Sequence, residues 1–158
     1  PRFALTDTRG RPVLLGEGAR PQFVYFIQDG CPCSVEAEPL FQDLERRYRG
    51  KVDFVAVTDA KPEVAYRWVT DMAVPYPVVS RPSADVMAAY SAPASVYSAL
   101  VVNGRIRKIW PGYSRGILTE MNRRFADASG VAPTKFDPKW APVEKTTGCA
   151  FTPPSKKA

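Results

Sequence analysis

A chain of 158 residues, 45% hydrophobic and 11% aromatic, can bury one core without disulfide staples. It contains no histidine, which removes the commonest general base, the usual zinc and haem ligand, and every Ser-His or Cys-His dyad. Three cysteines are too few and too oddly spaced for a disulfide framework or a four-ligand zinc site. The net charge of +6 is scattered, with +3 of it in the last 28 residues, and forms no basic recognition helix or aromatic-studded basic sheet, so a nucleic-acid partner is not expected. No apolar run approaches the ~20 residues of a membrane-spanning helix, and no stable membrane insertion is expected.

Phe3-Ala-Leu5 and Val13-Leu-Leu15 flank the turn-rich Asp7-Thr-Arg-Gly10 and predict a short hairpin. The unalternating run Phe23-Val-Tyr-Phe-Ile27 predicts a strand buried on both faces. A helix is expected from Ser34, whose hydroxyl suits an N-cap, to about Arg49 with Gly50 as the stop; Pro39 should kink it. Val52–Val57 reads as the next strand. The stretch Pro62–Met72 reads as a helix with Val64, Trp68 and Met72 on its apolar face. Tyr76-Pro-Val-Val-Ser80 is a short extended segment suited to an edge, and Ser83 suits the cap of a brief helix to Tyr90.

The strands Ser98–Val102 and Arg105–Trp110, joined by Asn103-Gly104, predict a type I′ hairpin with the second strand near a sheet edge. Ser114 opens a last helix, with Ile117, Leu118, Met121 and Phe125 facing inward, that ends at Ser129 and Gly130. Beyond Val131 periodicity vanishes, and Pro133, Pro138, Pro142, Pro153 and Pro154 punctuate the chain. Phe136, Trp140 and Phe151 nevertheless argue that this tail packs. The organisation expected is a domain over 1–130 and a proline-rich tail over 131–158 that carries Cys149.

Chemistry concentrates at Gly30-Cys31-Pro32-Cys33-Ser34, where a strand ends and a helix begins. A thiol held there meets the positive end of the helix dipole, which favours the nucleophilic thiolate. Glu36 and Glu38 in the first turns favour the helix but oppose a nearby thiolate. Buried free cysteine is more often a small hydrophobe, but two cysteines flanking a proline at such a junction point to a reactive thiol.

Strand, cysteine turn, helix with an early proline, strand, helix, hairpin and closing helix resembles the thioredoxin-like order. Cys31-Pro32-Cys33-Ser34 occupies the place of the Cys-x-x-Cys turn, and Pro39 stands five residues past Ser34. Cys31 thus matches the attacking cysteine, Ser34 stands where the second would be, and Cys33 falls between. Within that superfamily the chain resembles the redoxin group related to alkyl hydroperoxide reductase and thiol-specific antioxidant proteins. The shared residues are Phe3-Ala-Leu-Thr-Asp7 with Gly10, the Cys-Pro-x-Ser turn, Pro77-Val-Val-Ser80, Leu100-Val-Val-Asn-Gly104 and Gly148-Cys149-Ala150. The resemblance implies an α/β fold: a thioredoxin-like three-layer sandwich with a central mixed sheet and helices on both faces, followed by an irregular C-terminal tail. The peroxidatic pattern Pro-x-x-x-Thr/Ser-x-x-Cys is unmatched, since Gln28 and Gly30 precede Cys31 and Cys33 by three residues. The proline that thioredoxins carry before the hairpin strand is replaced by Val96 and Tyr97, with Pro93 too early.

The function expected is thiol–disulfide exchange on protein or small-molecule disulfides and thiols, without a cofactor. Cys31 would attack, and Cys33 or Cys149 would resolve the mixed disulfide. A bridge from Cys31 to Cys33 spans one residue and strains disulfide geometry. About 18 residues separate the closing helix from Cys149, enough at ~3.3–3.6 Å each to reach the turn. Two other readings stand beside this one: Cu(I) capture by Cys31 and Cys33 with or without Cys149, and a thioredoxin-like module without turnover. Peroxide reduction is a narrower form of the first. The chain opens at Pro1 without methionine, which reads as a trimmed start, and oxidisable thiols suit an extracytoplasmic setting, periplasmic or secreted.

Overall fold

The apolar run after Pro21 fixes the centre of the molecule. In the computed structural model, which describes residues 1–80 and 83–151, every residue of β3 (Gln22–Ile27) is buried. β4 (Asp53–Thr58) pairs with it in parallel and β6 (Tyr97–Val102) antiparallel. β5 (Val78–Val79) and β7 (Arg105–Pro111) form the two edges, giving the order β5-β4-β3-β6-β7. β1 (Phe3–Thr6) and β2 (Pro12–Leu15) make a separate antiparallel hairpin.

Alternation along β3 divides the core into two layers. Phe23, Tyr25 and Ile27 face a cluster built with α1 (Pro32–Tyr48), α2 (Pro62–Asp71) and α4 (Arg115–Ser129), while Val24 and Phe26 face α3 (Ser83–Ala89) and the β1–β2 hairpin. The parallel crossovers from β3 to β4 and from β4 to β5 carry α1 and α2, which pack in the same core layer. Phe23 anchors that face, with ring centroids 5.5 Å from Phe41, 4.9 Å from Phe54 and 5.0 Å from Phe125. This is the mixed sheet with helices on both faces that the order of elements implies.

Local signals mostly hold. Asn103 and Gly104 both take positive φ, 51° and 75°, as a type I′ turn requires. The Ser114 hydroxyl accepts from the Ile117 N–H at 3.1 Å, and Gly130 closes α4 in the left-handed conformation. Two expectations change. Helix α1 begins at Pro32, not Ser34, because a proline needs no N–H partner at the first helical position and its φ is already suitable. Cys31 is therefore the N-cap residue, and the Ser34 hydroxyl instead accepts from the Gln28 N–H at 3.1 Å. The buried face of α2 is Ala65, Trp68 and Val69; Val64 and Met72 are only half-buried, since the stripe is rotated toward Val69.

Residues 131–151 contain no helix or strand beyond single bridges from Ala94 to Ala150 and from Tyr113 to Thr146. The first part is held by α4: Arg115 donates to the carbonyls of Lys139 and Ala141, and Asn122 to that of Thr134. Phe151 is buried and Phe136 half-buried beneath the Arg47 guanidinium. Trp140 does not pack as expected: it is 83% exposed, its ring near only the Lys139 ammonium. The Ser83 side chain, Pro153 and Pro154 lie outside the described residues. Among those described, no helix is long and apolar enough to cross a membrane.

Candidate active site around Cys31

β3 ends at Ile27, and the turn that follows delivers Cys31 to the N-terminus of α1. The Cys31 carbonyl accepts from the Ser34 and Val35 N–H groups, and its own N–H donates to the Gln28 carbonyl at 3.2 Å. Its sulfur is enclosed, at 1% residue exposure. It accepts a hydrogen bond from the Ser95 hydroxyl at 3.3 Å and another from the Cys149 N–H at 3.2 Å. Burial opposes ionisation, but Ser95, the Cys149 thiol and N–H, and the Ser34 N–H outweigh it and bring the thiol down to about 6. The leading groups that favour the thiolate are neutral donors: a hydroxyl, a thiol and backbone N–H groups.

The three cysteines converge, and all are free thiols. Cys33 is half-buried and donates to the Thr147 carbonyl at 3.5 Å. Burial, then the Cys31 and Glu36 charges, push its thiol up. Cys149 is exposed, and its thiol is also raised, chiefly because it donates to Cys31. Cys31 thus ionises more readily than either of the thiols beside it.

The tail reaches the turn through isolated backbone pairing. Gly148 N–H donates to the Ser95 carbonyl at 2.7 Å, Ser95 N–H to the Cys149 carbonyl at 3.0 Å, and Phe151 N–H to the Pro93 carbonyl at 2.9 Å. Tyr113 and Thr146 exchange both backbone hydrogen bonds at 2.9 Å. Tyr113 is buried beside the cysteines and donates its hydroxyl to Glu36 at 3.3 Å; burial and the Glu36 charge push it up to about 12.

The acidic residues of the first turns do not oppose the Cys31 thiolate as expected. Glu36 faces Tyr113 and Cys33, and Glu38 lies under α1, accepting from the Tyr25 and Tyr76 hydroxyls. Ser95 and Tyr113 were not legible as site residues. The missed signal for Ser95 is its place at the mouth of β6, opposite the turn, where a proline was sought. Among the described residues, no three His, Cys, Asp or Glu side chains are arranged to hold a metal ion.

No family model and no curated protein matches the chain by sequence. Solved structures do match by shape. An uncharacterized conserved protein from Geobacillus kaustophilus superposes with a TM-score of 0.74 at 20% identity, over 98% of this chain and 90% of its own. A secreted disulfide oxidoreductase of Mycobacterium tuberculosis gives 0.66 at 17% identity, over 79% and 95%. The pneumococcal exposed lipoprotein thioredoxin from Streptococcus pneumoniae gives 0.67 at 15% identity, over 80% and 99%.

Proposed function

We propose that this chain, whose fold is thioredoxin-like, is a thiol–disulfide oxidoreductase of redoxin type with Cys31 as nucleophile and Cys149 as resolving thiol. The observation that carries the reading is the enclosed Cys31 sulfur at a helix N-terminus, bonded by the Ser95 hydroxyl and by the N–H of a second cysteine. The Cys31 thiolate attacks one sulfur of a substrate disulfide; the S–S bond breaks and the leaving thiolate takes a proton from solvent. The Cys149 thiolate then attacks the Cys31 sulfur of the mixed disulfide and releases the second substrate thiolate. Two electrons have passed to the substrate, and Cys31 and Cys149 are oxidised to a disulfide. Run backwards, the same steps donate a disulfide. Stabilising the Cys31 thiolate stabilises the reduced state and so makes the oxidised pair the stronger oxidant.

The raised Cys149 thiol fits the order of events. Its proton is held by the Cys31 thiolate, and that charge disappears when the mixed disulfide forms, freeing Cys149 to ionise. Cys33 is the other resolving candidate; it stands one residue from Cys31, where a bridge is strained. Membership of the redoxin group related to alkyl hydroperoxide reductase rests on the Cys-Pro-x-Ser turn and the Gly148-Cys149 segment, and peroxide turnover is its narrower form. An extracytoplasmic location is supported by the oxidisable thiols and by neighbours described as secreted or exposed.

Cys31→Ser should reduce thiol–disulfide exchange to the uncatalysed rate. Mild oxidation followed by peptide mapping should yield a Cys31–Cys149 bridge in the wild-type chain. A Cys31–Cys33 bridge with Cys149 free would reject Cys149 as the resolving thiol. Exchange unaffected by Cys31→Ser would leave the module without turnover as the better description.

A further inference from the structure

The segment that covers Cys31 is held in an unusual way. None of residues 143–150 is buried; only Phe151, at its end, enters the core. What fixes Thr146–Phe151 is chiefly main-chain pairing with Pro93–Ser95 and with Tyr113, together with the Cys149 N–H on the Cys31 sulfur and the Cys33 thiol and Gln28 amide donating to the Thr147 and Ala150 carbonyls. Main-chain pairing is open to any extended polypeptide, whereas side-chain pockets select among sequences. The selective element here is at Gly148. A Cβ at that position would stand 1.9 Å from the Ser95 hydroxyl oxygen and 2.9 Å from the Cys31 sulfur. Both groups are buried and hydrogen-bonded to each other, so making room for a Cβ would move the Ser95 hydroxyl off the Cys31 sulfur. Gly148 does not need a positive φ, so the demand is for space and not for backbone freedom. Across from it, just past β7, a Cβ on Gly112 would stand 2.4 Å from the Thr146 carbonyl oxygen, and the residue's φ of 99° also calls for glycine.

We propose that Thr146–Phe151 is a displaceable occupant of a docking edge for extended cysteine-bearing polypeptides, and that this edge requires glycine immediately before the reacting cysteine. The inference rests on the oxidoreductase reading of Cys31 and specifies its substrate. A substrate segment pairs with Pro93–Ser95 after the tail lifts off, its cysteine taking the place of Cys149 against Cys31. Once the mixed disulfide has formed, the substrate segment lifts off the edge while still tethered through Cys31, and the returning tail brings Cys149 back to the same sulfur. The tail thus competes with substrate at first and resolves the intermediate afterwards.

The test uses two peptides, acetyl-Thr-Thr-Gly-Cys-Ala-Phe-amide and its counterpart with valine for glycine, each as a mixed disulfide with thionitrobenzoate. Cys31 attacks the peptide sulfur and releases thionitrobenzoate, read by absorbance. The proteins are the full-length wild-type chain, Gly148→Val, in which the tail cannot reseat, and Phe151→Ser, which removes the anchor but leaves the register residues intact. A tethered strand competes at an effective concentration near the millimolar range, so both variants should release the label from the glycine peptide about tenfold faster than wild type. In every form the glycine peptide should outpace the valine peptide by about tenfold, because the clash at Ser95 acts on the substrate as it does on the tail. Equal rates in all three proteins, or equal rates for the two peptides, would overturn the inference while leaving Cys31 as the exchanging thiol. Absence of any mixed disulfide on Cys31 would overturn the oxidoreductase reading and the inference with it.

Discussion

Cys31 draws its reactivity from neutral donors, which makes the effect of each testable. The Ser95 hydroxyl is the leading stabiliser after the opposing cost of burial, so Ser95→Ala should move the midpoint of Cys31 alkylation upward from about 6. A pH–rate profile with iodoacetamide reads this directly, and an unmoved midpoint would place the stabilisation elsewhere. The same shift links to folding. The native thiol titrates near 6 and the unfolded one near 9.0, so the unfolded chain binds more protons between those values and stability rises with pH across that window. The contribution is complete above the unfolded value and lost as pH falls through the native one. Cys31→Ser should flatten that part of the curve in urea titrations at pH 5.5 and pH 9, roughly one half-unit below the native value and at the unfolded one. The cysteine turn was legible because a thiol pair beside a proline at a strand–helix junction is a local pattern. Ser95 was not, because a serine in a loop 64 residues away carries no periodic or spacing signal.

Helix α1 is tied to the sheet by a polar ring that its amphipathic pattern hides. The Glu38 carboxyl touches the Tyr25 hydroxyl at 2.5 Å and the Tyr76 hydroxyl at 2.7 Å, and the two hydroxyls stand 2.7 Å apart. Three contacts need three protons. An ionised Glu38 leaves only two, one on each tyrosine, whereas a protonated Glu38 completes the ring. Burial pushes the carboxyl up against the pull of the tyrosines and Gln42, in agreement with that count. For a carboxyl raised in the native state, stability is fully present below the unfolded value of 4.5 and lost as pH rises through the native one. Glu38→Gln keeps three donors for three contacts and cannot ionise. It should therefore be more stable than wild type at pH 8 and gain nothing at pH 4, by denaturant unfolding. Glu38→Leu strands the tyrosine hydroxyls and should cost about 1–3 kcal/mol. Sequence placed Glu38 correctly in the first turns. Its partners lie on β3 and just before β5, and a residue at a helical polar position gives no sign that it faces inward.

At the scale of the molecule, the layered sheet was foreseen through resemblance: the order of strand, cysteine turn, helix, strand, helix, hairpin and closing helix is similar to a known arrangement. The tail offers no such order, since single backbone bridges have no period in sequence. Aromatic content alone misjudged it, treating Phe136, Trp140 and Phe151 alike. Burial separates them, and a comparison of two large aromatics makes the difference measurable. Phe125 comes from α4 and meets Phe23 of β3, Phe54 of β4, Tyr48 of α1 and Trp110 of β7, so it joins most of one face of the sheet. Removing its ring leaves a cavity that rigid aromatic neighbours cannot fill, and Phe125→Ala should cost about 3–5 kcal/mol. Trp140 contributes a larger side chain but keeps it in solvent, so Trp140→Ala should change stability by no more than about 0.5 kcal/mol. Tryptophan emission gives a second readout for the same residue. A surface indole emits like one in water, and its removal should deplete the red side of the native spectrum while leaving the buried Trp68 and Trp110 signals in place. A Trp140→Ala variant as destabilised as Phe125→Ala would show that the tail is packed against the body through this ring after all.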